Sequence, residues 1–485
     1  MATNSAFFTL PEERAVFRER GVELGAVVEK VFWFQTAGWS LPPAAALFSA
    51  PSWEMAALRT RERELFAIKA QLSSLPMEDW KRHTARTKVS CDALSTVRRD
   101  VAPEMCTRAF CKLYEMLTAF PDLLGSPGPT TTLHLCEAPG AFVAATNHFL
   151  RSRIPAGASP APWRWVGGTL DPKCAANSAS DATLGRGAQG EFLRATRAQW
   201  EFGPDGSGNM CDRANAAALV RRVRALSPAG ADLVTADGSV PCWRAPGEQE
   251  RTTAQLHFCE VATALAALRP GGSLVCKLFT TFEDSTACLI RLLGACFDQL
   301  ALCKPVASSE GNSETYLVAL RCAALPADLV RALLGAVGAR APPGRALLPE
   351  AMLRDETRSP RCVAQIVGCA DLFASAQSAV IERNVALFRA TSAPRAEEKR
   401  PHVAQEAARA HQRFVARSYA ERFQLRAIDA AHFVVPPRAR SRAARAAAEA
   451  ELDDGTQLPT SFAGKASRSR GRRGKKRART ISGHG

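Results

Sequence analysis

Between residues 74 and 325 short apolar runs alternate with longer stretches in which apolar side chains return every three or four positions. The short runs read as buried strands and the longer ones as amphipathic helices. The strands fall at Thr132–Cys136, Trp163–Leu170, Ala231–Ala236, Ser273–Leu278, Gln299–Lys304 and Thr315–Leu320. Strand and helix in alternation build a parallel sheet through crossover connections. The helix over His257 to Leu268 runs into Arg269-Pro270-Gly271-Gly272, where a cation, a proline and two glycines stop it. Only residues 305–314 separate the last two strands, too few for a helical crossover, so these strands pair antiparallel. The pattern predicts an α/β fold with a mostly parallel sheet and one antiparallel strand near its edge.

The flanks read differently. Residues 1–73 carry helix-like stretches over Glu12–Gln35 and Trp53–Leu72, parted at Leu41-Pro42-Pro43, and form an accessory helical segment. Beyond 325 the chain is rich in Ala and Arg, with helical spacing at Val363, Ile366, Val367 and Cys369 to Leu372 and again from Phe414 to Phe423. Residues 326–435 are therefore a helical annex to the 74–325 domain. From 436 to 485 Arg, Ala, Ser and Gly dominate, and this basic tail is expected to be disordered.

Composition narrows the function. With 46% hydrophobic and 23% charged residues the chain is globular, not fibrous. The net charge of +16 points to a polyanionic partner. Nine basic residues between Lys465 and Arg479, with no acid among them, supply more than half of it. The first thirty residues contain Glu12, Glu13 and Arg14 and no long apolar run, unlike a secretory signal or an acid-poor presequence. Leu41–Pro51, read as the most apolar short stretch, is broken by three prolines and is too short to cross a bilayer. The expected location is the nucleus, the cytoplasm or both, with no membrane partner and no transmembrane segment. Fifteen cysteines without a CxxC pair, and eight histidines without an HxxxH pair, predict buried free thiols and no structural metal.

Five segments carry chemistry. Leu133-His-Leu-Cys-Glu-Ala-Pro-Gly-Ala-Phe142 takes a strand through a small-residue turn into a helix, a place where backbone amides approach a ligand. Its spacing is neither GxGxxG nor GxxxxGK[ST], which favours a smaller adenosyl ligand. Asp171 closes the next strand, where sheet-bound nucleosides meet an acid through ribose hydroxyls. It also reads as a plain turn residue before Pro172. Asp237 ends the strand of Asp232–Ala236, and Lys277 lies inside an apolar strand, costly for a lysine that is neither paired nor functional. The loop Ser308–Tyr316 delivers Glu314 to the start of the last strand.

In this order along the chain, Cys106–Glu115, Leu135–Phe142, Val234–Ser239, Gly247–Glu250, Leu274–Phe279 and Gly311–Glu314 closely resemble the blocks of the FtsJ-like RNA ribose 2′-O-methyltransferases, and within them the cap-specific branch acting on the second transcribed nucleotide. The resemblance covers about 74 to 325 and, more loosely, the helices to about 430. It implies a Rossmann-like methyltransferase fold, and a Lys-Asp-Lys-Glu catalytic tetrad at Lys112, Asp237, Lys277 and Glu314. It implies S-adenosylmethionine as cofactor, held at the turn of Pro139, Gly140, Ala141 and Phe142, with Trp163 near the adenosyl group and Asp171 and Asp237 beside the donor. The partner it implies is capped mRNA, with capped small nuclear RNA a further possibility. Gly206-Ser-Gly-Asn209 departs from the Gly-Asp pair expected to read the adenine amino group, a role that Asn209 can take. Methylation of the first transcribed nucleotide or of structural RNA, and an RNA-binding subunit without catalysis, are the alternatives.

Overall fold

The computed structural model describes residues 31–88, 90–125, 128–154, 159–177, 187–242, 246–338, 344–392 and 403–435. The first thirty residues and the basic tail 436–485, and with them the expected helix over Glu12 to Lys30, lie outside these.

The described strands are β1 Val31–Phe34, β2 Ala50–Pro51, β3 Thr130–Leu135, β4 Trp163–Gly168, β5 Trp200–Glu201, β6 Ala231–Ala236, β7 Leu268–Leu278, β8 Phe297–Cys303, β9 Thr315–Cys322 and β10 Arg345–Ala346. The helices are α1 Ala56–Ala70, α2 Met77–Thr87, α3 Cys91–Asp100, α4 Arg108–Ala119, α5 Ala141–Ser152, α6 Gly187–Ala195, α7 Arg213–Leu226, α8 Gln249–Ala267, α9 Asp284–Cys296, α10 Ala327–Ala336, α11 Glu350–Arg354, α12 Cys362–Ser392 and α13 Val403–Arg422.

Eight strands form one sheet in the order β1-β8-β9-β7-β6-β3-β4-β5, and β2 pairs with β10 apart from it. Strands β3 to β7 run parallel, while β9 runs against both β7 and β8. This is the Rossmann-like arrangement with its reversed strand where the short loop required one. A second reversed strand was not expected: β1 pairs antiparallel with β8 at the sheet edge, Val31 opposite Cys303 and Phe34 opposite Leu300. Residues 31–34, near the end of the helix expected over Glu12–Gln35, form a strand instead, so the 1–73 segment is not purely helical. Val-Phe-Trp-Phe is too short to display a two-residue period, yet its β-branched and aromatic side chains suit a pleated edge. Trp33 lies over Phe120, ring centroids 5.5 Å apart.

Helices cover both faces. Phe110, Leu113, Tyr114 and Leu117 of α4 and Phe142 of α5 form a core with Val275, Tyr316 and Val318 of the sheet, closed by Tyr419 and Phe423 at the end of α13. Leu274, Cys276 and Leu278 of β7 point the other way, into a core shared with α7, α8 and α9. By the alternation of strand side chains Lys277 shares the face of Val275, and so looks toward α4. Helix α12 reaches into that second core with Cys362, Ile366, Cys369 and Ala374. Its Cys362–Arg389 stretch is long and apolar enough to cross a membrane, with 33% of its most apolar window buried; Leu41–Pro51 is therefore not the most apolar part of the chain. Ile381, Val385 and Phe388 pack on Trp80 of α2.

Candidate active site

Four charged side chains meet above the carboxyl ends of β6 and β7. Lys277, one residue from the end of β7, stands directly opposite Tyr316 of β9. Its Nζ donates to the backbone oxygen of Asp237 at 2.7 Å and lies 3.1 Å from Asp237 Oδ1. Lys112 comes from α4, a helix capped by the Thr107 side chain, and its Nζ is 2.6 Å from Oε1 of Glu314. Tyr316 joins the two pairs: its hydroxyl donates to Asp237 Oδ1 at 2.7 Å, while Lys112 Nζ lies 5.8 Å from its ring centroid. Thus the structure brings Lys112, Asp237, Lys277 and Glu314 together.

Electrostatics tie the four as one unit. Burial pushes the Glu314 carboxyl up, but the Lys112 and Lys277 ammonium groups more than offset this and hold it down at about 2. Burial likewise pushes Lys277 down, and the Asp237 and Glu314 carboxylates outweigh that, leaving it above the ordinary lysine range. Two opposed influences had been legible in the sequence; the acids prevail.

A second tier of residues, missed in the sequence, holds these in place. Lys304 Nζ donates to the backbone oxygens of Asn312 and Glu314 and to Asn312 Oδ1, each at 2.8 Å. Glu115, fully buried on α4, accepts from the Val306 and Ala307 amides and from the Tyr419 hydroxyl. Gln377 of α12 donates to Gly311 O at 2.9 Å, and Lys69 of α1 to Ser313 Oγ at 2.9 Å. The loop bearing Glu314 is therefore gripped by the accessory helices from both ends of the chain. Past Lys277, Glu250 accepts from the Phe282 and Glu283 amides and the Thr280 hydroxyl. For Glu115 the available signal was an acid inside the apolar helical run Phe110–Leu117.

The glycine turn lies on β3, between β6 and β4. Gly140 has φ +121°, and a Cβ there would meet the Phe192 ring at 2.3 Å, so no other residue fits. The Phe142 and Val143 amides donate to Glu137 Oε1 at 2.7 and 3.1 Å. Phe142 itself is buried, its ring 6.3 Å from that of Tyr316. Asp171 lies at the carboxyl end of β4, as expected, and is engaged: Arg197 donates to both its oxygens, at 3.1 and 2.5 Å. Asn209 lies in the loop that meets Asp171, where the Ser207 carbonyl accepts from the Asp171 amide at 2.8 Å. Its Oδ1 accepts from the Cys211 amide, which turns it back on its own loop. The placement of Trp163 near the adenosyl group is corrected. Trp163 pairs with Thr130 at the first position of both strands, roughly 17 Å from the carboxyl edge, and its Nε1 donates to Thr132 Oγ1. The strand bounds Trp163–Leu170 already put this ring at the amino end; its place near the adenosyl group came from the resemblance alone.

Among the described residues no group of three His, Cys, Asp or Glu side chains is arranged to hold a metal ion. The arrangement suits moving a proton and placing a cationic reactant beside Asp237.

Residues 105–322 match the FtsJ-like methyltransferase family. The chain carries an FtsJ-like methyltransferase domain. Over 286 residues it is 40% identical to the mouse cap-specific mRNA (nucleoside-2′-O-)-methyltransferase 2, a match that covers 58% of this chain and 36% of the mouse protein. The Drosophila melanogaster protein of the same name is 34% identical over 318 residues, covering 65% of this chain and 44% of its own length. The Drosophila cap-specific mRNA (nucleoside-2′-O-)-methyltransferase 1 is 38% identical over 117 residues, covering 24% of this chain and 15% of its own. The chain thus spans less than half the length of these relatives.

The family implies a methyl donor, and the FtsJ-like site has residues fit to hold one. Asp237 directly follows β6 and Asp171 lies three residues past β4, the strands on either side of β3 and its glycine turn. Carboxylates so placed suit a donor that is cationic at one end and carries ribose hydroxyls at the other.

Proposed function

We propose that this chain transfers a methyl group from S-adenosylmethionine to the ribose 2′-hydroxyl of the second transcribed nucleotide of capped mRNA. The observation that carries the reading is the convergence of the Lys112–Glu314 and Lys277–Asp237 pairs on Tyr316, supported by the similarity to the methyltransferases numbered 2 over more than half of this chain.

S-adenosylmethionine, when bound, supplies an electrophilic methyl group on a sulfonium. In this reading the Pro139-Gly140-Ala141 turn and Phe142 shape its pocket, Asp171 meets its ribose diol, Asn209 lies near the base, and Asp237 faces the cationic sulfur. Lys277 takes the proton from the 2′-hydroxyl as that oxygen becomes the nucleophile. Two acceptors on Asp237 aim its Nζ, and Glu314 holds Lys112 as a second cation close by, favouring the developing alkoxide. Much of the rate comes from holding the reactants in line.

The test incubates the protein and its Lys277→Ala variant with labelled S-adenosylmethionine and RNAs bearing a cap, already 2′-O-methylated at the first nucleotide or not. Nuclease mapping is expected to place the label on nucleotide two, with at least about a hundredfold loss in the variant. Label on nucleotide one would favour the second reading, for which the shorter match to the Drosophila methyltransferase 1 speaks. Bound cofactor without transfer to any RNA would favour a binding subunit.

A further inference from the structure

Behind the tetrad, the polar side chains that α8 buries include His257 and Glu260, which no step above uses. Glu260 Oε1 accepts from the Gly238 amide at 2.9 Å. The peptide unit that offers this N–H is the one whose carbonyl, that of Asp237, accepts from Lys277 Nζ at 2.7 Å. One planar group is therefore gripped at both ends, by a carboxyl on its N–H and by the lysine on its C=O. Because the unit is planar, turning the carbonyl away from Nζ also pulls the N–H off Glu260.

Position 238 itself shows how closely the acid is seated. A Cβ there would stand 2.3 Å from Glu260 Oε1 and 2.8 Å from Leu256 Cδ2, so only glycine lets the carboxyl reach the amide.

We propose that Glu260 is a positioning residue for methyl transfer, fixing the Asp237–Gly238 peptide so that its carbonyl oxygen holds Lys277 Nζ toward the hydroxyl to be methylated. This rests on the reading given under Proposed function.

A fully buried carboxyl is expensive to keep unless its hydrogen bonds are needed, and Oε2 of Glu260 has no hydrogen-bond partner among the described residues. Burial pushes this carboxyl up to about 8, against the opposing influence of the Cys136 thiol, the Lys277 ammonium and the Gly238 amide, so at neutral pH it is mostly the uncharged acid and acts as a carbonyl acceptor. His257, one turn back and stacked on Phe279 at 5.8 Å, is held neutral by burial. The layer behind Lys277 thus contributes an acceptor for Gly238 without a full charge to draw the ammonium away from Asp237 and Glu314.

Two variants of similar volume separate reach from charge. Glu260→Gln keeps the reach to the Gly238 amide and is neutral; Glu260→Asp keeps the acid and falls one methylene short. On capped RNA, Glu260→Gln is expected to retain kcat within about threefold, while Glu260→Asp loses about 30-fold in kcat with KM changed by less than about threefold. A readout without turnover accompanies it: the rate at which Lys277 is acetylated by a small reagent at pH 8, read by peptide mass spectrometry on the substrate-free protein. Lys277 of Glu260→Asp is expected to react several times faster than in the parent protein, having lost a fixed acceptor, and that of Glu260→Gln at the parental rate. Parental kcat and acetylation in Glu260→Asp would overturn the proposal, and so would a fall in Glu260→Gln equal to that in Glu260→Asp, which would assign the effect to charge. If Glu260→Asp does not fold, Gly238→Ala displaces the same peptide from the other side, and an unchanged kcat or acetylation rate there is equally fatal. A parent protein inert toward every capped RNA would instead sink the functional reading, and the acetylation rates would still decide whether Glu260 holds Lys277.

Discussion

Lys277 can accept a proton only as the neutral amine, and its neighbours favour the ammonium. Burial lowers its proton affinity, yet Asp237 and Glu314 together raise it above the ordinary lysine value, so at pH 7 only a small fraction is neutral. Below the pKa of a base that fraction rises about tenfold per pH unit. For the free enzyme, log(kcat/KM) toward capped RNA is therefore expected to climb with a slope near one between about pH 7 and 9. Initial rates over that range check it, and a flat profile would remove Lys277 from the role of base. Glu314 adds nothing to such a profile, because with a pKa of about 2 it stays ionised throughout; Glu260, pushed up to about 8, ionises within this range, so the slope is read in Glu260→Gln as well. The residues involved were readable in the sequence to different depths. Lys277 stood out as a cation in an apolar strand and Asp237 as an acid at a strand end. Lys112 did not stand out: it sits beside an ordinary amphipathic stripe, and its place rested on the resemblance. Glu115, Glu250 and Glu260 went unread because an acid inside a helix looks solvated until the partner amides, distant in sequence, are known.

At the scale of elements, the sequence pattern located the parallel strands β3, β4, β6 and β7 and the reversed β9, since these follow from run length and loop length, but not the two-residue β5. It did not locate β1, four residues long, nor the partners of the accessory helices, which depend on tertiary packing and leave no local period. Those partners matter for the site. Gln377 of α12 is 5% exposed and supplies a hydrogen bond to Gly311 O, three residues before Glu314. Gln377→Leu is of similar length and removes both this donor and the acceptor of the Ser313 hydroxyl, a loss of about 0.5 to 1.5 kcal/mol per hydrogen bond at this part-buried site. Thermal or urea unfolding is expected to show a destabilisation of that order, and kcat to fall by about tenfold as Glu314 loses its fixed place relative to Lys112. Loss of stability with kcat retained would mean that Lys304 and Lys69 suffice to hold the loop. The expectation of an annex separate from the catalytic domain would then be the better description of α12.

For the whole molecule, charge is divided unevenly between chemistry and grip. The tetrad contributes two cations and two anions, and thus no net charge to attract RNA. More than half of the +16 lies between Lys465 and Arg479. A basic run of this kind binds phosphates without reading bases, and each phosphate it neutralises releases counterions, giving a dependence of log K on log salt with a slope of about −0.7 per contact on single strands. Removing residues 465–485 takes away those nine cations while leaving every residue of the site in place. Capped RNA is expected to bind the shortened protein more weakly at low salt, with a shallower salt slope, and the two proteins to converge in affinity as salt is raised. At saturating RNA, kcat is expected to be unchanged, because the four charged groups of the site, Lys112, Asp237, Lys277 and Glu314, all lie outside the deleted residues. Fluorescence anisotropy across a salt series, paired with initial rates, separates the two effects. An unaltered slope would place the phosphate grip on the folded body, whereas a fall in kcat at saturation would give the tail a part in aligning the RNA with Lys277.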